Sequence, residues 1–316
     1  MNPKQDYRLG FRPYFAREYG YNICITKGST VSRLQSRASI IYAGEFMDNY
    51  NIFHLSMHDV YINQTEPDDH SYRLAQACSR AFYPLTIFCD RYGVVSGLRN
   101  DRIKQQWEKE KPLIIREFCG GSAERYIEKT EENIDDPQRI TDIVTRNLFF
   151  HAFFMPQYAF IRGEEKAIEF ALPLISFQDS LKGKGTQQYM VTNEDEKKIY
   201  HKGAIVDEQV FNYEQILRTR KDEGSGVIKG AIEIEYDMSS DSLIDAIIFE
   251  AKLTKESGEP LMDVKMEGYY LSEYPLQITE DKDTVLLGEK ILREQEKQKQ
   301  LEKREAFREK IRGLFK

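Results

Sequence analysis

Two histidines and an aspartate lie close together near the start of the chain, and all three residue types bind metal ions in proteins. They are His54, His58 and Asp59. The alternation of polar and apolar residues around them predicts a β-strand, in which each residue adds about 3.3 Å, so the two histidines lie roughly 13 Å apart. A zinc ion requires its nitrogen ligands at about 2 Å. The spacing therefore predicts no metal site, and no cofactor is expected.

Two glycine-containing segments are the nearest approach to a phosphate-binding loop. Residues 183–186 read Gly-Lys-Gly-Thr and residues 224–226 read Gly-Ser-Gly, but neither has the order G-x-x-x-x-G-K-[ST]. We expect flexible hairpin turns at both places. The sequence also has no G-x-S-x-G, no H-E-x-x-H and no dinucleotide fingerprint. No catalytic residue is predicted, although 52 acidic residues leave an enzyme with a carboxylate site open.

An aromatic block between residues 149 and 160 is the most unusual stretch of the chain. One interpretation is the end of a helix that turns into a strand in the core. The other is the wall of an apolar pocket or of a groove for a partner, because such side chains line pockets. The candidate pocket residues are Phe149, Phe150, Phe153, Phe154 and Tyr158.

A second aromatic cluster lies near the N-terminus and includes an arginine. Aromatic residues and arginine are enriched at binding hot spots, so this cluster is a candidate partner-binding surface. A terminal segment packed against its own sheet has the same composition, and the sequence does not separate the two. The candidates are Phe11, Arg12, Tyr14 and Phe15.

Residues 290–316 predict a charged C-terminal helix. They carry a net charge of +5, and the rest of the chain carries −12. Because residues 294–300 contain no apolar side chain, burial contributes little there. The apolar end of the segment is the right size to anchor in a groove, either on another protein or on a second copy of the chain. The candidate anchors are Ile311, Leu314 and Phe315.

Composition excludes several classes of protein. The net charge of −7 argues against a nucleic-acid-binding body. No run of eighteen apolar residues predicts a membrane span. Four scattered cysteines without a C-x-x-C pair, and an N-terminus without a secretory signal, predict reduced thiols and a cytoplasmic location.

The first region, residues 1–66, is predicted to be rich in β-structure. Residues 52–62 alternate, with Phe53, Leu55, Met57 and Tyr61 on one face and the two histidines on the other. The third region, residues 162–275, is predicted to be a β-meander. Alternating runs over residues 230–237, 243–253 and 262–270 are separated by turn residues, which is typical of antiparallel strands.

The second region, residues 67–161, is predicted to hold most helices. Asn100 is expected to cap a helix in which Ile103 and Trp107 lie on one buried face. A new helix is expected to begin at Pro112. Another is expected to begin at Pro137 with Asp136 as its N-cap, and to carry an apolar stripe. The stripe consists of Ile140, Ile143, Val144 and Leu148.

The order of these elements resembles the curved half-barrels of the LolA/LppX kind. The resemblance covers residues 18–273 and concerns element order alone. It implies a sheet wrapped around helices with an apolar cavity, but the absence of a signal peptide departs from a periplasmic carrier, so lipoprotein transport is not implied. The segment at residues 83–88 (Tyr-Pro-Leu-Thr-Ile-Phe), with Asp90, Gly93, Asn100 and Trp107 after it, also resembles a pattern in bacterial proteins to which no activity is assigned.

The sequence therefore predicts an α+β fold with a large twisted antiparallel β-sheet, helices packed on one face, and the C-terminal charged helix after a single body at residues 1–289. The first functional hypothesis is a non-catalytic adaptor, chaperone or accessory component of a larger assembly, such as a secretion or phage-like apparatus. Its partner is another protein or a second copy of the chain, bound through the C-terminal helix. A carrier of an apolar small molecule is the alternative, and an enzyme with a carboxylate site is the second alternative.

Overall fold

The first and last strands of the sheet lie side by side in its middle. In the described residues of the computed structural model, twelve strands form one sheet in the order β5-β4-β3-β2-β1-β12-β11-β10-β8-β7-β6, with β9 paired to β10. The strands are β1 (Ala16–Lys27), β2 (Thr30–Phe46), β3 (Tyr50–Ile62), β4 (Leu85–Asp90), β5 (Val95–Leu98), β6 (Glu165–Pro173), β7 (Ser180–Val191), β8 (Lys197–Ile205), β9 (Val210–Asn212), β10 (Ser225–Met238), β11 (Ile244–Lys255) and β12 (Pro260–Glu273).

Six helices accompany the sheet in the part of the chain that the structure describes, which comprises residues 15–46, 50–65, 69–90, 93–155, 165–173, 180–191, 197–217, 224–240 and 243–273. The chain divides into two units, Met1–Tyr274 and Pro275–Lys316, and every described element belongs to the first. The helices are α1 (His70–Arg80), α2 (Asn100–Glu117), α3 (Gly121–Asp135), α4 (Pro137–Thr145), α5 (Leu148–Phe153) and α6 (Tyr213–Leu217).

The sheet is made of two meanders that run in opposite senses. Strands β1 to β5 lead from the middle to one edge, and β6 to β12 lead from the other edge back to the middle. The pairings between neighbouring strands are antiparallel, including the central pair β1–β12. The prediction of a mainly antiparallel sheet with a few helices is therefore confirmed. The predicted C-terminal helix at residues 290–316 lies outside the described residues.

One face of the sheet is buried because apolar side chains alternate along each strand. In β1, Tyr19, Tyr21 and Ile23 are buried at alternate positions, and the predicted buried face of residues 243–253 is confirmed in β11. Helix α5 lies against this face. None of the described helices is long and apolar enough to cross a membrane.

The prediction of which β3 residues share the buried face is wrong at the end of the strand. Between the pairs Arg37–His58 and Gln35–Tyr61, strand β3 has one more residue than β2, and Asp59 adopts a φ of 47° there. This bulge reverses the alternation. As a result Ile62, and not Tyr61, shares the buried face with Phe53 and Leu55.

The expected helix start at Pro112 is also wrong. Helix α2 runs without a break from Asn100 to Glu117, with the proline inside it. A proline removes one backbone hydrogen bond, but Ile103, Trp107 and Ile114 all bury against the core on the same side. Packing on both sides of the proline keeps the helix continuous, and the predicted burial of Trp107 beside Ile103 is confirmed.

Of the two predicted helix caps, one is present and one is not. Asp136 accepts a hydrogen bond from the backbone N–H of Arg139 (3.4 Å) and α4 begins at Pro137, as predicted. Asn100 is not the N-cap of α2, since Arg99 holds that position and the Asn100 amide donates instead to the Ile134 carbonyl (3.2 Å). The predicted stripe from Ile140 to Leu148 is divided, because α4 ends at Thr145 and Leu148 begins α5.

Residues 183–186 do not form a hairpin turn but lie inside β7. Gly183 makes room for the ring of Phe170 from the neighbouring strand β6, and Gly185 lies against the backbone of Lys202 and Gly203 in β8. A Cβ on Gly183 would lie 2.1 Å from that ring, and a Cβ on Gly203 of β8 would lie 2.6 Å from it. Gly226 is likewise inside β10, where a Cβ would meet the Tyr213 hydroxyl at 2.5 Å, although Gly224 precedes the strand with a φ of +73°.

Strand β5 was not predicted from the sequence. It forms a hairpin with β4, in which the Asp90 carboxylate accepts a hydrogen bond from the backbone N–H of Val94 (3.0 Å). Gly93 adopts a φ of 91°, which glycine permits. The short strand is one of the two edges of the sheet.

We predict that Gly203→Ala destabilises the protein by about 1–3 kcal/mol, because the new methyl group would collide with the Phe170 ring and lie 2.9 Å from the Lys184 carbonyl oxygen. Chemical denaturation followed by circular dichroism measures the change. Gly97→Ala in β5 is the matched control, since a Cβ there meets nothing within 4 Å. Equal stability of the two variants contradicts the close approach of Phe170 to β8.

Candidate ligand-binding site

The two edge strands of the sheet, β5 and β6, line the same pocket. Its volume is about 310 Å³, and we call it the edge pocket. Helix α5 with the two residues after it, the end of α4 and the first residue of β7 supply other walls. The lining residues are Val94, Val95, Thr145, Phe150, His151, Phe154, Met155, Glu169, Phe170, Ala171 and Ser180.

The aromatic residues of α5 divide between two surfaces. Asn147 caps the helix, accepting hydrogen bonds from the backbone N–H groups of Phe149 (3.0 Å) and Phe150 (3.2 Å). Phe149 and Phe153 are four residues apart and pack on the sheet. Phe150 and Phe154 have the same spacing one position later, and both line the edge pocket.

Phe149 fixes α5 to the centre of the sheet. Its ring stacks on Tyr21 with the centroids 4.6 Å apart and an interplanar angle of 2°. A Cβ on Gly268 of β12 would lie 2.8 Å from the same ring, so glycine is required for this approach. At the far end of the helix, the Tyr236 hydroxyl donates to the Ala152 carbonyl (2.8 Å). Both ends of α5 are therefore held against buried strands.

A narrow cavity of about 10 Å³ lies deeper in the core, next to the edge pocket. The two share His151, Met155 and Phe170 as lining residues. On its far side the narrow cavity is lined by His201 of β8. The ring of Phe170 therefore lies at the boundary between the edge pocket and a buried histidine.

Two polar side chains are buried opposite each other beyond this boundary. His201 is 3% exposed and Gln187 is 0% exposed, and they are paired directly across strands β8 and β7. Within the described part of the chain, both ring nitrogens of His201 and both amide atoms of Gln187 have no hydrogen-bond partner. Buried polar groups are nearly always hydrogen-bonded, so these four atoms are exceptional.

Burial keeps both histidines of this region neutral. It lowers the pKa of His201 to about 3. Burial also lowers the pKa of His151 to about 4, although a hydrogen bond with the backbone of Thr145 acts in the opposite direction. The charged form of each imidazole is disfavoured because it leaves water without gaining an anionic partner.

A second cavity of about 410 Å³ lies where the ends of β1, β2, β3 and β12 meet α6. It is mainly apolar, with Ile23, Leu34 and Met262 among its walls, and it has basic residues Lys27 and Arg33 at its rim. Lys27 donates to the Ile216 carbonyl (2.5 Å). The Lys27 amine is therefore hydrogen-bonded to the protein's own backbone.

A third pocket of about 560 Å³ lies between β3 and α1 and has a polar lining that includes His58 and Asp59. His58 Nε2 lies 3.1 Å from the Ser39 hydroxyl, and Asp59 forms an ion pair with Arg37. His54 Nδ1 lies 3.0 Å from the Thr86 hydroxyl. Each of the residues first considered for metal binding thus has a protein partner. No group of three metal-binding side chains occurs among the described residues.

The other candidate site residues fall in different places. Phe15 is 7% exposed and packs against Tyr42 (centroids 5.9 Å apart) and Phe53 (6.0 Å), so the structure brings it into the core. The remaining candidates lie outside the described residues. They are Phe11, Arg12, Tyr14, Tyr158, Ile311, Leu314 and Phe315.

Sequence reasoning missed His201 and Gln187. Both occupy inward positions in strands β7 and β8, where the neighbouring inward residues Tyr189 and Ile199 are apolar. A polar residue at an inward position is a recognisable signal. It becomes visible only when residues 180–191 and 197–205 are recognised as strands, and the glycines at 183 and 185 concealed the first of them.

Comparison with known proteins adds no relative: no protein-family model, no curated protein and no solved structure matches this chain.

We predict that the protein loses stability between pH 7 and pH 5, and that His201 contributes about 2 kcal/mol of this loss. The unfolded-state pKa of about 6.5 exceeds the folded-state pKa of about 3, so the unfolded chain binds the proton more strongly. The contribution of neutral His201 to stability is fully present above pH 6.5 and is lost as the pH falls towards 3.

Denaturant unfolding at pH 7 and pH 5 measures this difference. His201→Leu removes the titrating group and should reduce the pH dependence by that amount. Gln187→Leu, on the facing strand, carries no titrating group and should keep the full pH dependence. If His201→Leu has the same pH dependence as the unmodified protein, the imidazole is not held neutral by burial.

Proposed function

We propose that this protein binds and carries an apolar small molecule in the edge pocket. The observation that carries the proposal is a pocket of about 310 Å³ between the two edges of the sheet, with Phe150, Phe154, Phe170 and Met155 among its walls. Small-molecule sites generally have volumes of about 300–1,000 Å³ and are mostly apolar, with few polar groups.

The position of the pocket supports the same proposal. Among the described residues, β5 pairs with β4 alone and β6 pairs with β7 alone. An edge strand is less restrained than a central strand, because it is hydrogen-bonded on one side. A ligand can therefore enter between these strands without disrupting the central pairings of β1, β11 and β12.

A catalytic role for the edge pocket has less support from its titratable groups. Glu169 is 79% exposed at its side chain and lies 3.3 Å from the amine of Lys184, so it faces solvent and an ion-pair partner. His151 has a pKa of about 4, which makes it a weak base at neutral pH. Among the described lining residues, these groups do not form a paired acid and base.

The adaptor hypothesis depends on residues outside the described part of the chain. Its basis is the charge of +5 on residues 290–316 and the apolar anchors Ile311, Leu314 and Phe315. It remains a separate prediction about the C-terminal segment. A carrier that also has such a segment is consistent with the carrier proposal and with the adaptor hypothesis.

We predict that the neutral fluorescent probe N-phenyl-1-naphthylamine binds the full-length protein with increased, blue-shifted emission, because its aromatic rings leave water for an apolar pocket. Val94→Trp should weaken this binding by at least about tenfold, since the indole fills the pocket from the residue just before β5. Fluorescence titration measures the affinity of the probe for the full-length protein and for Val94→Trp. Excitation at a wavelength longer than the tryptophan absorption band avoids emission from the new indole.

Two further variants locate the site. Val206→Trp is the matched control, because Val206 is similarly exposed (45% against 39% for Val94) and is not among the edge-pocket residues. It should bind the probe normally. Ser32→Trp tests the second cavity, which Ser32 lines. Loss of binding in Ser32→Trp, with normal binding in Val94→Trp, contradicts a ligand site in the edge pocket.

A further inference from the structure

The buried face of the sheet carries a polar pair in β7 and β8. His201 and Gln187 face each other across β8 and β7, and Ile234 of β10 is the other cross-strand neighbour of His201. The inward residues two positions away, Tyr189 and Ile199, are buried and pair with each other. Other polar side chains buried on this face, such as Asn51 and Ser36, have hydrogen-bond partners.

Neither side chain satisfies the other. In the described part of the protein, the four polar atoms of the pair have no hydrogen-bond partner although both residues are at least nine-tenths buried. Leaving buried donors and acceptors unpaired lowers stability, whereas two apolar side chains of similar size would remove this cost. A polar pair at this place therefore indicates that something else is to be hydrogen-bonded there.

The pair lies next to the edge pocket. His201 lines the narrow cavity that shares His151, Met155 and Phe170 with that pocket. Phe170 belongs to the edge strand β6, and its ring lies close to Gly183 and Gly203. Displacement of one aromatic ring on the least restrained strand therefore connects the pocket to His201.

We propose that His201, together with Gln187, is the polar recognition site for the ligand of the edge pocket, and that the ligand is an apolar molecule with one neutral hydrogen-bonding group, such as a hydroxyl. This inference rests on the proposed function. The apolar body of the ligand occupies the edge pocket, and its polar end passes Phe170 to reach the pair.

The chemistry of the two side chains selects a neutral group. A neutral imidazole offers one N–H donor and one acceptor nitrogen, and the carboxamide offers donors and an acceptor. A hydroxyl group donates and accepts, so it can satisfy both side chains at once. Because the described lining residues of the edge pocket and of the narrow cavity include no lysine or arginine, an anionic group would lose its hydration without a counter-charge.

Competition against N-phenyl-1-naphthylamine tests the inference with three compounds that share one ring system. They are 1-naphthol, naphthalene and 1-naphthoate. With the full-length protein, 1-naphthol should displace the probe at about tenfold lower concentration than naphthalene, and 1-naphthoate should be the weakest competitor. In His201→Leu the advantage of 1-naphthol over naphthalene should fall to about twofold or less, with probe affinity retained.

Two controls keep the outcome interpretable. Gln187→Leu should reduce the preference for 1-naphthol in the same direction, which tests the pair without changing the histidine. Ile199→Leu, an inward residue of β8 that does not line either cavity, should keep the preference. Thermal melts establish that each variant is folded.

The outcomes separate this inference from the proposed function. If the probe does not bind, or Val94→Trp does not weaken its binding, the proposed function is wrong. If the probe binds in the edge pocket but 1-naphthol has no advantage, or keeps its advantage in His201→Leu, the polar recognition site is wrong and the apolar pocket remains. Displacement by 1-naphthoate as strong as that by 1-naphthol overturns the selection of a neutral group.

Discussion

The packing of helix α5 on the centre of the sheet is the interaction on which the rest of the structure depends. Phe149 stacks on Tyr21 and approaches Gly268, while Tyr236 holds the carbonyl of Ala152. These contacts lie on β1, β12 and β10, the part of the sheet where the two meanders meet. Burial of a phenylalanine ring contributes about 1.5–3 kcal/mol, and the glycine lets the backbone approach closely enough to obtain it. Both edges of the sheet are consequently placed around a helix whose position is fixed.

The geometry of α5 then determines the candidate site. Helix α5 and its C-cap residue place aromatic rings at positions 149, 150, 153 and 154, and Phe154 also packs on Phe53 of β3 (centroids 5.3 Å apart). The packing of Phe149 and Phe153 on the sheet leaves Phe150 and Phe154 beside the edge strands β5 and β6, where they line the edge pocket. On the same side, Phe170 lies over the glycines of β7 and β8 and separates the pocket from His201. The short helix α5 therefore both packs against the core of the sheet and forms part of the pocket wall.

Much of the fold follows from local patterns in the sequence. Alternation over residues 243–253 and 262–270 correctly predicted β11 and β12, and the Asp136–Pro137 signal correctly predicted the start of α4. The failures have physical causes that local patterns do not contain. Pro112 stays inside α2 because tertiary packing on Trp107 and Ile114 outweighs the lost hydrogen bond. Gly183 of β7 is required by the ring of Phe170 on β6 and Gly185 by the close backbone of β8, and without these contacts the sequence of the segment is typical of a turn.

The candidate site was only partly accessible to the same reasoning. The aromatic block could be identified because its composition is unusual, yet its division between core and pocket depends on how α5 is rotated against the sheet. His201 and Gln187 are 14 residues apart in sequence and carry no motif; they become related only through the pairing of β7 with β8. The two polar residues therefore become a pair only through the register in which β7 pairs with β8. The sequence pattern did not reveal that register.

A crystal structure of the full-length protein grown with N-phenyl-1-naphthylamine tests the central claim most directly, because it locates the bound probe without any substitution. We predict electron density for the probe between β5 and β6, in contact with Phe150 and Phe154, with the central pairing of β1 and β12 unchanged. Density for the probe only in the second cavity near Ile23 and Leu34, or only on the outer surface, would contradict the account.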